Sequence, residues 1–317
     1  MMVSERRAMI DIGTVTSRLL VADVDDDVVH EVVRRSRITH LGEGWSSSGV
    51  LSEAGMTRTA AAVAEFVAEA QELGVVRTIA VATSASRDAR NSAEFVAKLE
   101  GVGIRPDVIT GDREGYLTFL GATYGFCDER IMVVDVGGGS TEVVLGSMRA
   151  IHGKHSTTIE AIRSIDVGSR RITEMFLHHD PPKRREIEQA AEYVADQLRP
   201  VFIAFGQRPS TMVAVAGTAT SLAAIDLGLE PYDPERVHGY RLTGAVLLDI
   251  LERLTGMTLD ERCHLPGLEP DRAGVIIGGA LVLQSVMAYA GLSSTLVSEH
   301  DILYGMMLDP GDVSDPA

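Results

Sequence analysis

One strand-turn-strand pattern occurs twice in this chain and limits the folds open to it. Asp11, Gly13 and Thr16 in IDIGTVTSRLLVADV hold the same relative positions as Asp135, Gly137 and Ser140 in VDVGGGSTEVVLGS, 124 positions further on. That interval is too long for a solenoid, whose repeats run to about 20–50 residues. It predicts two similarly built lobes facing each other. The length of 317 residues agrees, being about twice an ordinary domain of ~150 residues.

The remaining pattern is α/β. Strands are expected at Met9 to Gly13, Arg18 to Val24 and Val28 to Arg34, forming an antiparallel meander. Met56, Ala60, Val63, Val67 and Ala70 recur at helical spacing between Glu53 and Leu73, and Gly74 stops the helix. A strand at Thr78 to Ala82, a helix near Ala93 to Leu99, a strand at Asp107 to Ile109 and a helix opening near Asp112 follow. The second block has strands at Ile131 to Val136 and Glu142 to Leu145, then a strand-to-helix turn in Val213 to Ile225. Ala245 to Leu254 and Val275 to Ala290 read as largely buried helices, and the polar tail after Asp309 as frayed.

Composition narrows the function. No apolar run approaches the roughly 18 residues of a membrane span, and MMVSERRAMI lacks the apolar stretch of a secretion signal, so a cytoplasmic protein without a membrane partner is expected. Cys127 and Cys263 have neither CxxC spacing nor a histidine cluster and are read as buried thiols. The net charge of -16, spread along the chain, argues against nucleic acid. It would also repel a phosphate substrate unless a divalent cation and local arginines reverse the field. Lysine occurs only at Lys98, Lys154 and Lys183, so a side-chain phosphate clamp is expected to be guanidinium.

The Asp-x-Gly turns suit phosphate and metal. Glycine lets amides approach an anion closely, Thr and Ser hydroxyls add donors, and a strand-end Asp can hold a cation. A single such turn would be only a turn; two copies, with Gly217 and Thr218 in a third, point to phosphate. Glu114, in the first turn of the helix in ITGDREGYLTFLGA, could merely complement the helix dipole. Arg87 in ATSASRDARN could clamp phosphate or pair with Asp88. His152, His155, His178 and His179 read as surface residues, His238 as loop structure and Trp45 as packing.

In order along the chain, IDIGTVTSRLL, ATSASRDARN, ITGDREGYLTFLGA, VVDVGGGSTEVVLG, VGSRRITEMF, VAGTATSLAA, VHGYRLT and LVSEHDILYGMML resemble the exopolyphosphatase/guanosine pentaphosphate phosphohydrolase (Ppx/GppA) family. The resemblance implies two actin-like, ribonuclease H-like lobes with a cleft between them. Their bounds are expected at 1–126, with 300–317 packing back, and 127–299. It implies release of terminal phosphate from polyphosphate, with guanosine pentaphosphate (pppGpp) or ligand sensing without turnover as alternatives. Mg²⁺, or Mn²⁺ in its place, a monovalent cation such as K⁺, and a homodimer are further implications.

Residue by residue, Glu114 matches the family's catalytic glutamate. Asp135 and Glu142 match its metal-binding and water-orienting acids, and Gly137, Gly138, Gly139, Ser140 and Thr141 its phosphate-binding loop. Asp11, Thr14 and Thr16 match the first loop, Arg87 the loop arginine and Arg272 a late arginine. Three departures stand out: Val15 where the first loop has Asn, Arg113 where a second glutamate often precedes Glu114, and Gly274 where the late motif has Asp. Arg113 is expected to favour the charged form of its neighbour Glu114. The chain also ends soon after the second lobe, which under the resemblance suggests shorter polyphosphate.

Overall fold

Residues 8–12 and 19–22, on the first two strands, are buried on both faces, whereas the third strand is largely exposed. The computed structural model describes residues 5–25, 28–126, 128–151, 154–206 and 208–311; Cys127 and His152 lie outside them. β1 (Glu5–Ile12), β2 (Thr16–Asp25) and β3 (Val28–Ile38) form the expected antiparallel meander. Alternate residues serve different cores: Ile10, Ile12, Leu19 and Val21 pack with Trp45, Phe66 and Phe95, whereas Met9 and Leu20 pack with Leu117, Leu303 and Met307.

After α1 (Trp45–Ser48) comes α2 (Glu53–Glu72), whose N-cap Ser52 accepts a bond from Gly55 N at 3.1 Å. It buries Met56, Ala60, Val63, Phe66 and Ala70 along one face. β4 (Arg77–Ala82), α3 (Ser84–Asp88), α4 (Ser92–Glu100), β5 (Asp107–Val108) and α5 (Gly111–Ala122) follow. β4 runs parallel to β1 and β5 parallel to β4, giving the order β3-β2-β1-β4-β5.

The second sheet repeats this plan. β6 (Asp128–Val136), β7 (Thr141–Ile151) and β8 (Lys154–Ile165) form another antiparallel meander, followed by α6 (Ser169–Phe176) and α7 (Arg184–Phe205). β9 (Thr211–Val215) runs parallel to β6 and leads into α8 (Ala216–Leu227), α9 (Pro234–Val237), β10 (Arg241–Thr243), α10 (Gly244–Gly256) and α11 (Leu259–Cys263). α12 (Ile276–Ala290) and β11 (Ser294–Val297) complete the order β10-β11-β9-β6-β7-β8. From the meander inward the two sheets share one ribonuclease H-like order, so each unit is an actin-like α/β lobe.

Contacts divide the chain into Met1–Tyr124 with Asp301–Ala317, and Gly125–His300. The final helix, α13 (Ile302–Leu308), belongs to the first unit, where it crosses α5. The crossing is close because a Cβ on Gly305 would strike the Leu117 carbonyl and one on Gly121 the Asp301 carbonyl. Two expectations need adjustment. α10 buries only one face, through Leu247, Ile250, Leu251 and Leu254, and leaves Leu248 exposed, whereas α12 is buried nearly throughout. Cys263 is half-buried because α11 is a single surface turn, with its thiol near the Pro270 carbonyl. Trp45 packs in the core as expected. No helix among the described residues is long and apolar enough to cross a membrane.

Candidate functional site

The two loops share a closing hydrogen bond. Gly13 N donates to Thr16 O at 3.0 Å and Gly137 N to Ser140 O at 3.1 Å. A Cβ at Gly13 would sit 2.9 Å from the Thr16 carbonyl oxygen, so glycine is needed for this close approach. The strand register extends the likeness. Across one sheet Ser36, Arg18, Asp11 and Val81 form a row; across the other, Ser164, Glu142, Asp135 and Val215 do so. Only the second position changes charge, from Arg18 to Glu142.

That exchange separates the loops electrostatically. Asp11 is buried, and its Oδ2 accepts from Arg18 Nε at 3.1 Å and Nη2 at 2.5 Å. Arg18 also pairs with Asp301, the N-cap of α13. Burial pushes the Asp11 carboxyl above its ordinary value; Arg18 opposes the shift and the Asp301 charge adds to it. The first loop thus carries its own cation. Thr14 braces it against α3, its Oγ1 accepting from Ala85 N at 3.3 Å. Thr16 closes the loop through its carbonyl, and Val15 is buried.

α3 and α5 bring Arg87 and Glu114 together. Arg87 Nη1 donates to Glu114 Oε2 at 3.2 Å and to the Ile109 carbonyl at 3.1 Å, and its Nε lies 3.3 Å from Asp88. Of the two readings of Arg87, the pairing with Asp88 is present. Glu114 sits one turn into α5, behind the N-cap Thr110, with its side chain 11% exposed. Arg113 does not serve it. Successive helix residues point about 100° apart, and Arg113 instead reaches Asp309 at 3.0 Å and lies over the Tyr116 ring. The arginine beside Glu114 comes from α3. Ser84 and Ser86, also on α3, have buried hydroxyls with no hydrogen-bond partner among the described residues, a setting that suits a bound water or oxyanion.

In the second unit Asp135 and Glu142 are 6% and 1% exposed and directly opposite on neighbouring strands. Opposite residues in an antiparallel pair project from the same face, and like charges there are unfavourable unless a cation offsets them. Ser164 Oγ donates to Glu142 Oε1 at 2.7 Å, fixing that carboxylate. No group of three or more metal-capable His, Cys, Asp or Glu side chains occurs among the described residues. Two carboxylates alone fit Mg²⁺, which commonly completes its shell with water and substrate phosphate oxygens.

The glycine loop beside them turns its carbonyls toward α6. Gly137 O accepts from Ser169 N at 2.8 Å, and Gly138 O from Arg170 N at 3.0 Å and Arg171 N at 3.1 Å. The Gly138, Gly139 and Ser140 amides make no backbone hydrogen bond among the described residues. Thr141 and Thr218 fasten the strand ends: Thr141 Oγ1 donates to the Val167 carbonyl at 2.5 Å and Thr218 Oγ1 to the Val136 carbonyl at 3.1 Å. A hydroxyl has one proton, so neither is a phosphate donor in this arrangement. Arg272 lies over Gly217, where its guanidinium fills the space a Cβ would take. Ala216, next to it, has φ 64, a left-handed strain characteristic of functional turns.

Sequence reasoning missed Arg18 and Ser164. Arg18 lies opposite Asp11 and Ser164 opposite Glu142, relations that only the strand register reveals.

A family model described as the Ppx/GppA phosphatase family matches residues 20–309. Exopolyphosphatase 2 of Mycobacterium tuberculosis is 37% identical over 320 residues, covering 96% of this chain and 98% of that protein. A solved Aquifex aeolicus Ppx/GppA family member has a TM-score of 0.79 at 30% identity, covering 99% of both chains. An exopolyphosphatase structure from Cytophaga hutchinsonii has a TM-score of 0.87 at 27% identity, covering 98% of this chain and 99% of that one.

Proposed function

The chain belongs to the Ppx/GppA phosphatase family, and we propose that it is an exopolyphosphatase that removes the terminal orthophosphate of inorganic polyphosphate. The observation that carries this reading is the carboxylate pair Asp135 and Glu142 beside a loop whose amides are available to an anion. Such an arrangement suits a divalent cation and a phosphate together.

In this reading Glu114 accepts the proton of the attacking water. The water oxygen bonds to the terminal phosphorus, the bridging P–O bond breaks, and the shortened chain leaves with the electron pair. Arg87 holds the Glu114 carboxylate in place and brings a guanidinium charge to the phosphate oxygens. The Gly138, Gly139 and Ser140 amides orient the terminal phosphate. Asp135 and Glu142 would hold Mg²⁺, which when bound neutralises phosphate charge. Phosphoryl transfer of this kind depends chiefly on positioning and charge neutralisation.

A substrate panel of short polyphosphate, long polyphosphate, pppGpp and ATP, with Mg²⁺, tests the proposal by orthophosphate release. Polyphosphate should be the preferred substrate. Preference for pppGpp would move the assignment to that nucleotide, and binding without release would make the protein a sensor.

A further inference from the structure

The third carbonyl of the glycine loop is held differently from the first two. Gly137 O and Gly138 O are taken by main-chain amides of α6, but Gly139 O accepts from a side chain, Arg171 Nε, at 2.8 Å. In a trans peptide the carbonyl and the following N–H lie in one plane and point in opposite directions. Each captured carbonyl therefore fixes the next residue's amide away from α6: Gly138, then Gly139, then Ser140. Two of the three planes are set by backbone. The Gly139–Ser140 plane depends on Arg171, and glycine at 139 offers little steric resistance to its rotation.

We infer that Arg171 is a positioning residue that orients the Gly139–Ser140 peptide so that the Ser140 amide faces a substrate phosphate oxygen. The inference rests on the reading of Gly137 to Ser140 as a phosphate loop. Two features suit arginine to the task. Its guanidinium is held at a second point, Nη2 to Asp166 Oδ1 at 3.3 Å, and its side chain is only 18% exposed. A planar fork can meet both acceptors in fixed geometry, whereas a lysine ammonium cannot reproduce that spacing. The neighbouring Arg170 side chain has another role, pairing with Glu174 at 3.3 Å. The motif VGSRRITEMF thus contains one arginine that serves the loop and one that serves its own helix. Gly168 supports the arrangement, because a Cβ there would collide with Gly138 and Gly139.

The test is calorimetric binding of tripolyphosphate with Mg²⁺ to the full chain, its Arg171→Lys variant and its Arg171→Ala variant, the last with and without added guanidinium ion. Arg171→Ala should raise Kd by about tenfold or more, the size of one hydrogen bond to a charged group. Free guanidinium should recover much of that loss, and Arg171→Lys should not. A merely structural role would lower thermal stability without such rescue. Kd unchanged in Arg171→Ala, or a loss that guanidinium leaves untouched, overturns the inference while the phosphate-loop reading stands. Failure of the unmodified protein to bind tripolyphosphate overturns both. Should Arg171→Ala not fold, Arg171→Gln gives the same comparison.

Discussion

Glu142 stands directly opposite Asp135 across β6 and β7, at the position that Arg18 takes opposite Asp11 in the first sheet. The two loops therefore share geometry but not charge. One sets Arg18 opposite its aspartate; the other sets a second carboxylate there. Metal affinity should reside in the second loop. Ser164 supports the carboxylate through its 2.7 Å bond to Glu142, so Ser164→Ala tests that supporting role. A loss of about 10–100-fold in Mg²⁺ affinity is expected, as for other residues that orient metal ligands. Titration with Mn²⁺ as a spectroscopic probe measures it.

Removing the Arg87 guanidinium takes away the hydrogen bond to Glu114 and a candidate phosphate clamp at once. Arg87→Ala should lower kcat/KM on the order of 10², the scale for losing one preorganised electrostatic contact. Arg87→Lys should recover only part, since an ammonium cannot span Glu114 and the Ile109 carbonyl as the fork does. Steady-state kinetics on polyphosphate separates the two variants.

Gly305 lies where α13 meets the Leu117 carbonyl of α5, the helix that carries Glu114. Gly305→Ala forces the helices apart. Overpacking of this kind costs about 1–3 kcal/mol, which should appear as a lower Tm. Activity should fall further than the folded fraction does, because the displaced helix holds the proposed base.

Much of this architecture was legible in the sequence, for reasons that also explain what was not. The first meander, α2 and the opening of α5 were readable because apolar spacing and caps such as Ser52 and Thr110 are local signals. β8 carries no such signal: a strand starting in KHSTTIEAIRSI is polar at most positions, and its partner is fixed by the sheet. The pairing of Glu114 was not legible for a related reason. Adjacency in sequence suggested Arg113, but helix geometry sends that side chain to Asp309 and leaves the place to Arg87, 27 positions away in the chain. Arg18 and Ser164 were hidden by register, which only strand pairing reveals.

The α7 terminus gives a pH test independent of catalysis. His179 Nδ1, at 2.7 Å, is the main influence holding the Glu186 carboxyl down at about 2; burial opposes it, and the Lys183 and His178 amides assist. A depressed carboxyl pKa stabilises the fold above the unfolded value of 4.5 and loses that contribution as pH falls toward about 2. Glu186→Gln should therefore lower Tm at pH 7. The difference from the unsubstituted protein should narrow steadily below pH ~4.5. Thermal melts across that range measure it.

Orthophosphate release from polyphosphate by Glu114→Gln, with Mg²⁺ and beside the unsubstituted protein, bears most directly on the proposed reaction. The amide keeps the shape of the side chain but cannot take up a proton. A fall in kcat of about 10²–10⁴, with tripolyphosphate binding retained, is the expected result. Equal release by the two proteins would exclude Glu114 as the base and leave the hydrolysis without its proton acceptor.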